Sequence, residues 1–358
     1  MNIRPNCTYG VACPTSMGVR LTPEGGLPVH AATSFTMQAT SAESNVLSVS
    51  SALGYRGLVL TNFVESSPIS LFIQSNLRSR NLDFIGPSLP QGGPWGLRHQ
   101  FNLADSGSGT RGPRVHNDRA GEVGARLDPA DFDLAHIFGT LGVGIVHLSG
   151  LIAAISDQTA EFCLAVIRAA KANGTRVSFD LNHRASFWKG REAHLRDVFA
   201  RIAQSADVLV GNEEDYQLCL GIEGPPAGGR DLESKMQSYT NMMTTLQQTF
   251  PNAGVFATTL REVVSVNEHR WGSICHMPQD QTHAITPRAI QVLDRIGGGD
   301  GYVGGLLYGL LRGWNAEDCN AFGWASGALA ATFPTDYAQP ADEAMVWSIY
   351  EGNARVQR

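Results

Sequence analysis

Concentrated charge is scarce in this chain of 358 residues: charged side chains make up 17% of it and the net charge is −6. No dense run of Lys and Arg occurs. A nucleic-acid binder needs clustered cations against the phosphates, so that class of partner is not expected. Long hydrophobic runs are also missing. The longest, around Val303–Leu311 and Phe322–Phe333, are too short and too rich in Gly and Ala to span a bilayer, so no membrane partner is expected. The first residues, MNIRPNCTYGVACP, have no apolar core of the kind a secretory signal carries. The six cysteines (Cys7, Cys13, Cys163, Cys219, Cys275 and Cys319) form no C-x-x-C pair, and no His stands at zinc-site spacing. They read as buried thiols of a reducing compartment, which predicts a cytoplasmic location. What is present is apolar: 43% of the residues are hydrophobic, enough for a sizeable core. The length fits one large α/β domain with a small addition, or two ordinary domains.

Short β-rich runs alternate with helical patterns. Candidate strands are Gly57–Thr61, Ile145–Leu148, Val177–Leu181, Val208–Val210, Val255–Thr258 and Ile290–Leu293. Candidate helices are Asn45–Gly54, Ala160–Ala172, Glu192–Ala206 and Leu232–Thr249, and beyond residue 298 the pattern is wholly helical (300–313, 316–332, 341–351). Strands spaced by such helices imply βαβ units and a mainly parallel sheet covered on both faces. Two segments, Val19–Met37 and Leu97–His116, break the alternation with extended, turn-rich sequence. They are either long surface loops or an inserted antiparallel sheet that forms a lid over an active site.

The sharpest local signal is Asp294-Arg-Ile-Gly-Gly-Gly-Asp300, between an apolar strand and a strongly apolar helix. Gly297, Gly298 and Gly299 let the backbone approach a ligand closely and aim successive N–H groups at one spot. The helix adds its unpaired first-turn N–H groups and the positive end of its dipole. The result is a candidate anion hole for a phosphoryl group, and Asp300 is a candidate base for an incoming hydroxyl. The same residues also read as a glycine turn with an acidic N-cap.

Other strands end in polar residues, on the side where parallel α/β sheets bind ligands. In Val177–Arg184 (VSFDLNHR) the planar fork of Arg184 suits a carboxylate, although Asp180 and Arg184 can equally form a surface pair. In Ala206–Asp215 (ADVLVGNEED) Asn212 is placed to cap an acidic helix start. In Ala257–Glu262 (ATTLRE) the hydroxyls of Thr258 and Thr259 suit nucleotide phosphates or ribose, a weak signal alone.

Taken together, these elements resemble the ribokinase-like (PfkB) carbohydrate kinases. The C-terminal signature of that family is Gly-Ala-Gly-Asp, with Gly298 here in the middle place. DRIGGGD and DLNHRASFW are most similar to the 2-dehydro-3-deoxygluconate kinases, His183 standing where those have Tyr. Arg20–Gly26 (RLTPEGG), Ala32–Phe35 (ATSF) and Asp118–Gly121 (DRAG) extend the likeness along nearly the whole chain. The resemblance implies one ribokinase-like α/β/α domain over 1–358, with a lid from about 17–38 and 95–120. It implies Asp300 as catalytic base, the Gly297–Asp300 backbone as anion hole, and Arg184 and Arg119 as cations for a sugar acid. Ser41, Asn45, Asn102 and Asn117 would surround the sugar, and Asn212, Thr258, Thr259, Arg261 and Gly299 the nucleotide. Asn212 and Asp215 would hold a magnesium–phosphate network through water.

The implied reaction is ATP- and Mg2+-dependent phosphorylation of a sugar-acid hydroxyl, foremost 2-dehydro-3-deoxy-D-gluconate to its 6-phosphate. Activation by a monovalent cation stays open. A kinase for fructose or a nucleoside, and a weakened sugar or nucleotide sensor, are the alternatives. Three departures fall on the sugar side: Thr40 and Ser41 replace a glycine pair, Asn102 and Asn117 replace aromatics, and Val11 replaces Glu after Gly10. Exposed lid strands would offer an edge to a second copy, a homo-oligomer. Two Gly-rich stretches carry no function: Asp105–Pro113 lacks the Gly-Lys-Ser/Thr ending of a phosphate loop, and Gly139–Gly144 lacks dinucleotide spacing. His147 reads as a satisfied core histidine.

Overall fold

The structure is a computed structural model that describes residues 1–226 and 235–353. Nine strands form its main sheet. They are β1 (Tyr9–Pro14), β4 (Gly57–Leu60), β6 (Leu82–Ile85), β10 (Val143–Ser149), β11 (Arg176–Asp180), β12 (Val208–Val210), β13 (Val255–Ser265), β14 (Glu268–His276) and β15 (Thr282–Gln291). Their order is β15-β14-β13-β12-β11-β10-β1-β4-β6, and every neighbouring pair is parallel except the two made by β14. The central parallel strands are mainly apolar because both faces are covered, whereas β13, β14 and β15 carry exposed polar residues where they extend past the helices. Side chains alternate between two cores: Leu209 of β12 lies in one with Phe179 and Phe256, whereas Val208 and Val210 lie in the other with Tyr302 and Leu306. The first core is closed by α3 (Gly150–Ala153), α4 (Asp157–Ala172), α5 (Ala185–Trp188), α6 (Glu192–Ser205), α7 (Glu213–Leu220) and α8 (Met236–Thr249). The second is closed by α1 (Ala42–Ala52), α2 (Pro68–Ser79), α9 (Gly298–Leu311), α10 (Ala316–Ala330) and α11 (Glu343–Tyr350). The three-layer α/β/α arrangement read from the sequence is the one observed. Among the described residues, no helix is long and apolar enough to cross a membrane.

A second sheet stands apart, built from β2 (Gly18–Pro23), β3 (Phe35–Thr40), β8 (Gln100–Asp105) and β9 (Arg114–Asp118) in the order β3-β2-β8-β9. Its central pair, β2 with β8, is parallel, which corrects the expectation of an antiparallel sheet. The chain makes two excursions from the main sheet, and β2 and β8 are both outgoing limbs. Parallel neighbours need a long crossover, here the intervening α1, β4, α2 and β6. A two-stranded ribbon, β5 (Phe63–Val64) with β7 (Ser88–Leu89), lies beside it in the chain. Two strand boundaries also move. The last strand covers Thr282–Gln291 rather than Ile290–Leu293, and β13 continues seven residues past its expected end, from Thr259 to Ser265, into a hairpin with β14. The helix expected over Leu232–Thr249 is seen from Met236, and residues 227–234 lie outside the described part.

Candidate active site

The C-terminal ends of β11 and β12, the segment that follows β15, the middle of β13 and the inner face of the small sheet enclose a cavity of about 790 Å³. At its floor is the glycine loop. Gly297 has φ +87°, and a Cβ there would lie 1.9 Å from the carbonyl oxygen of Asp336, so only glycine fits both the turn and the contact. A Cβ on Gly298 would meet only the Gly327 oxygen, at 3.7 Å, and one on Gly299 would meet nothing. The space over Gly299 is therefore free for a ligand to approach the backbone. The chain turns helical at Gly298, so the first-turn N–H groups of α9 face this space without intrahelical partners.

Asp300 sits in that first turn and borders the cavity. Asn45, near the start of α1, donates through Nδ2 to Asp300 Oδ2 at 2.9 Å. No described residue hydrogen-bonds Asp300 Oδ1. Burial pushes the Asp300 carboxyl up to about 7, against the hydrogen bond from Asn45, with Asp336 adding repulsion. A carboxyl poised near neutrality is suited to proton transfer.

At the end of β11 the backbone of Asn182 is left-handed (φ +39°), which swings Arg184 toward the cavity. Arg184 makes no ion pair among the described residues; its Nη1 donates to the His183 carbonyl at 2.8 Å. The sequence reading of a surface pair with Asp180 is not what forms. Asp180 is instead raised well above the carboxylate range, first by burial and then by Asp215 and Asp300. Arg119 also borders the cavity, but both its Nε (2.9 Å) and Nη2 (2.8 Å) donate to the carboxylate of Glu122. Its charge is thus met by a two-point ion pair, whereas Arg184 has no ion pair among the described residues and only the longer-range field of Asp180, Asp215 and Asp300.

Asn212 and Asp215 form a reciprocal capping box at the start of α7, and the His183 N–H donates to Asp215 Oδ1 at 3.1 Å. Asp215 rises to about 6, chiefly through burial. Thr259 and Arg261 of β13 line the cavity. Thr258, one residue earlier on a strand of period two, points away and is fully buried. Asn102 and Asn117 are directly opposed across β8 and β9 and both reach the cavity. Ser41 caps α1, its Oγ accepting from Ser44 N at 3.1 Å, and Thr40 Oγ1 is turned to Asp336 Oδ2 at 2.6 Å. The side chains that replace the expected glycine pair thus have partners within the protein, and both residues still line the cavity. His147 is buried, hydrogen-bonded to Ser178 at 3.0 Å and lowered to about 3 by desolvation, a core histidine as read.

Of the proposed site residues, the cavity thus gathers Asp300 with Gly297 and Gly299, Ser41 and Asn45, Arg184 and Arg119, the asparagines of the small sheet, Asn212 with Asp215, and Thr259 with Arg261; Thr258 and Gly298 lie off its lining. Sequence reasoning missed Arg295. It lines the cavity beside Arg261, which desolvation and then repulsion from Arg295 lower to about 10. The signal was available, since Arg295 is the second residue of DRIGGGD. Among the described residues no cluster of acidic, His or Cys side chains is arranged to grip a metal directly.

Comparison with known proteins follows from this geometry. The chain is 27% identical over 211 residues to a 5-dehydro-2-deoxygluconokinase of Clostridium perfringens, a match covering 59% of this chain and 55% of that protein. The chain therefore spans about half the length of that relative. It is 26% identical over 345 residues to a 2-dehydro-3-deoxygalactonokinase of Haloferax volcanii, covering 95% and 96% of the two chains. In fold it is similar to the crystal structure of 2-dehydro-3-deoxygluconokinase from Thermotoga maritima (TM-score 0.86, 24% identity, 96% and 98% covered). A putative ribokinase II from E. coli, solved in complex with ATP and Mg2+, aligns with a TM-score of 0.75 at 14% identity, covering 96% of this chain and 99% of that one. The family model of the pfkB family carbohydrate kinases matches residues 142–341, from β10 through α10 and including the glycine loop, and the chain belongs to that family.

Proposed function

We propose that the protein transfers the γ-phosphoryl group of ATP to a hydroxyl of a sugar acid, with 2-dehydro-3-deoxy-D-gluconate, phosphorylated at its 6-hydroxyl, as the first candidate. The observation that carries this reading is the pairing of Asp300, poised near neutrality in the first turn after the glycine loop, with Arg184, which makes no ion pair among the described residues, in the same cavity. Arg184 holds the carboxylate of the sugar acid, and Asn102 and Asn117 meet its hydroxyls. Asn45 holds Asp300 by one oxygen and leaves Oδ1 for the acceptor hydroxyl. As the acceptor oxygen bonds to the γ-phosphorus, its proton passes to Asp300. The bond from that phosphorus to the β–γ bridging oxygen breaks, and ADP leaves. The first-turn N–H groups of α9 stabilise charge on the transferring oxygens, and Arg261 and Arg295 face the phosphates.

Magnesium, when bound with the nucleotide, neutralises phosphate charge. Asn212 and Asp215 already spend their oxygens on the capping box, so they fit a metal held through water rather than direct ligation. The small sheet acts as the lid of one kinase domain. A likeness to relatives that act on dehydro-deoxy sugar acids supports the substrate class.

The test is ADP formation across a panel of sugar acids and neutral sugars. Asp300→Asn should lower kcat by roughly a thousandfold or more while nucleotide affinity changes little; retained turnover would remove the base. Arg184→Leu should raise KM for acidic sugars, and an unchanged KM would favour a neutral substrate.

A further inference from the structure

Arg20, on β2 of the small sheet, is 1% exposed, and no step above uses it. Its guanidinium bridges the carboxylates of Asp294 and Asp336. Each acid has a second anchor on or next to the small sheet: Ser106 Oγ, in the loop just after β8, donates to Asp294 Oδ2 at 2.7 Å, and Thr40 Oγ1 of β3 to Asp336 Oδ2 at 2.6 Å. The N–H of Asp336 donates to Gln38 Oε1 at 3.3 Å. The two acids bracket the glycine loop. Asp294 opens it, accepting the Ile296 N–H at 3.0 Å, and the Asp336 backbone is the surface on which Gly297 packs.

Burying one cation between two anions is expensive to desolvate and is weak evidence for a gain in stability. A gain in geometry is what such a unit offers, because a planar fork fixes the relative position of two carboxylates as a point charge does not. We propose that Arg20 is a positioning residue for phosphoryl transfer: it sets the loop Gly297–Asp300 in register with the small sheet, aligning phosphate-facing amides with sugar-facing strands. This rests on the kinase reading above. Arg20 acts through the loop, so its loss should fall on turnover and on the grip of phosphates more than on sugar affinity.

Arg20→Ala and Arg20→Lys test this, with circular dichroism confirming that each is folded. Arg20→Ala should lose about a hundredfold in kcat while KM for the sugar acid stays within about threefold. Added guanidinium ion should restore part of the turnover where methylammonium does not, and Arg20→Lys should not rescue. A folded Arg20→Ala that turns over within about threefold of the wild type, or an Arg20→Lys equal to it, overturns the proposal. If Arg20→Ala does not fold, the double variant Thr40→Val/Ser106→Ala trims only the outer anchors. It should lower kcat severalfold, and an unaltered kcat overturns the idea just as well. A sugar-free measurement separates this from the substrate reading: the affinity ratio of a non-hydrolysable ATP analogue to AMP should shrink in Arg20→Ala. If the ratio shrinks while no sugar acid is phosphorylated by the wild type, only the substrate assignment falls. An unchanged ratio counts against Arg20.

Discussion

Asp300 is balanced between two charge states, and that balance is measurable. Only its carboxylate form accepts a proton, and burial raises its pKa to about 7. For a group raised in this way the active form is lost as pH falls, so kcat/KM should drop about tenfold per unit below neutrality and level off above it. A profile flat from acid to alkaline pH would show that another group serves as the base. The three glycines before it are not equivalent. Gly298→Ala meets only an ordinary contact with the Gly327 oxygen in a helical turn and should stabilise by about 0.5–1 kcal/mol with turnover kept. Gly297→Ala meets both a left-handed backbone and the Asp336 carbonyl, and should cost more than 1 kcal/mol together with most of the activity. Melting temperatures and kcat of the two variants check the contrast. At this scale the sequence was legible where a motif fixes the backbone. It was silent on which pairings form and which way a side chain turns: nothing in DRAGE says that Arg119 closes on Glu122 rather than on a ligand, and nothing in TTLR says which threonine faces inward.

The helix that carries Asp300 owes its place to what it lacks. A Cβ on Gly304 of α9 would lie 2.6 Å from the Val46 carbonyl oxygen of α1. Replacing a mid-helix glycine by alanine ordinarily gains about 1 kcal/mol in propensity. Here the backbone oxygen cannot move aside as a flexible side chain would, and overpacking should win by about 1–3 kcal/mol. Gly304→Ala is therefore expected to lower the unfolding temperature, and a rise would mean that α1 and α9 slide apart freely. Helices were legible to within a few residues because their apolar spacing and caps are local, as in the Ser156 and Asn212 capping boxes. Strands were less so. β1 is a buried run of small and apolar residues without turn signals of its own, and β14 and β15 form a hairpin edge on a chain whose pattern promised βαβ units.

At the scale of the whole molecule, a cavity shared by two sheets makes ligands part of the stability. A non-hydrolysable ATP analogue at a hundredfold its Kd should stabilise the protein by about 2.7 kcal/mol, seen as a higher unfolding temperature; no shift at saturation would place the nucleotide elsewhere. The mainly parallel architecture was readable from alternation alone, whereas the parallel centre of the small sheet was not, since it depends on two distant excursions leaving in the same direction. The placement of the arginines has a further outcome. Arg184, Arg261 and Arg295 stand on the main body, while Arg119, beside the small sheet, is neutralised at home. These three cations share the cavity with the carboxylates of Asp180, Asp215, Asp300 and Asp336, so the guanidinium groups are spaced among acids and are held on strands and loops of the main sheet. For the proposed anionic substrates, added salt should therefore slow capture by these arginines, and a capture rate independent of ionic strength would count against their role.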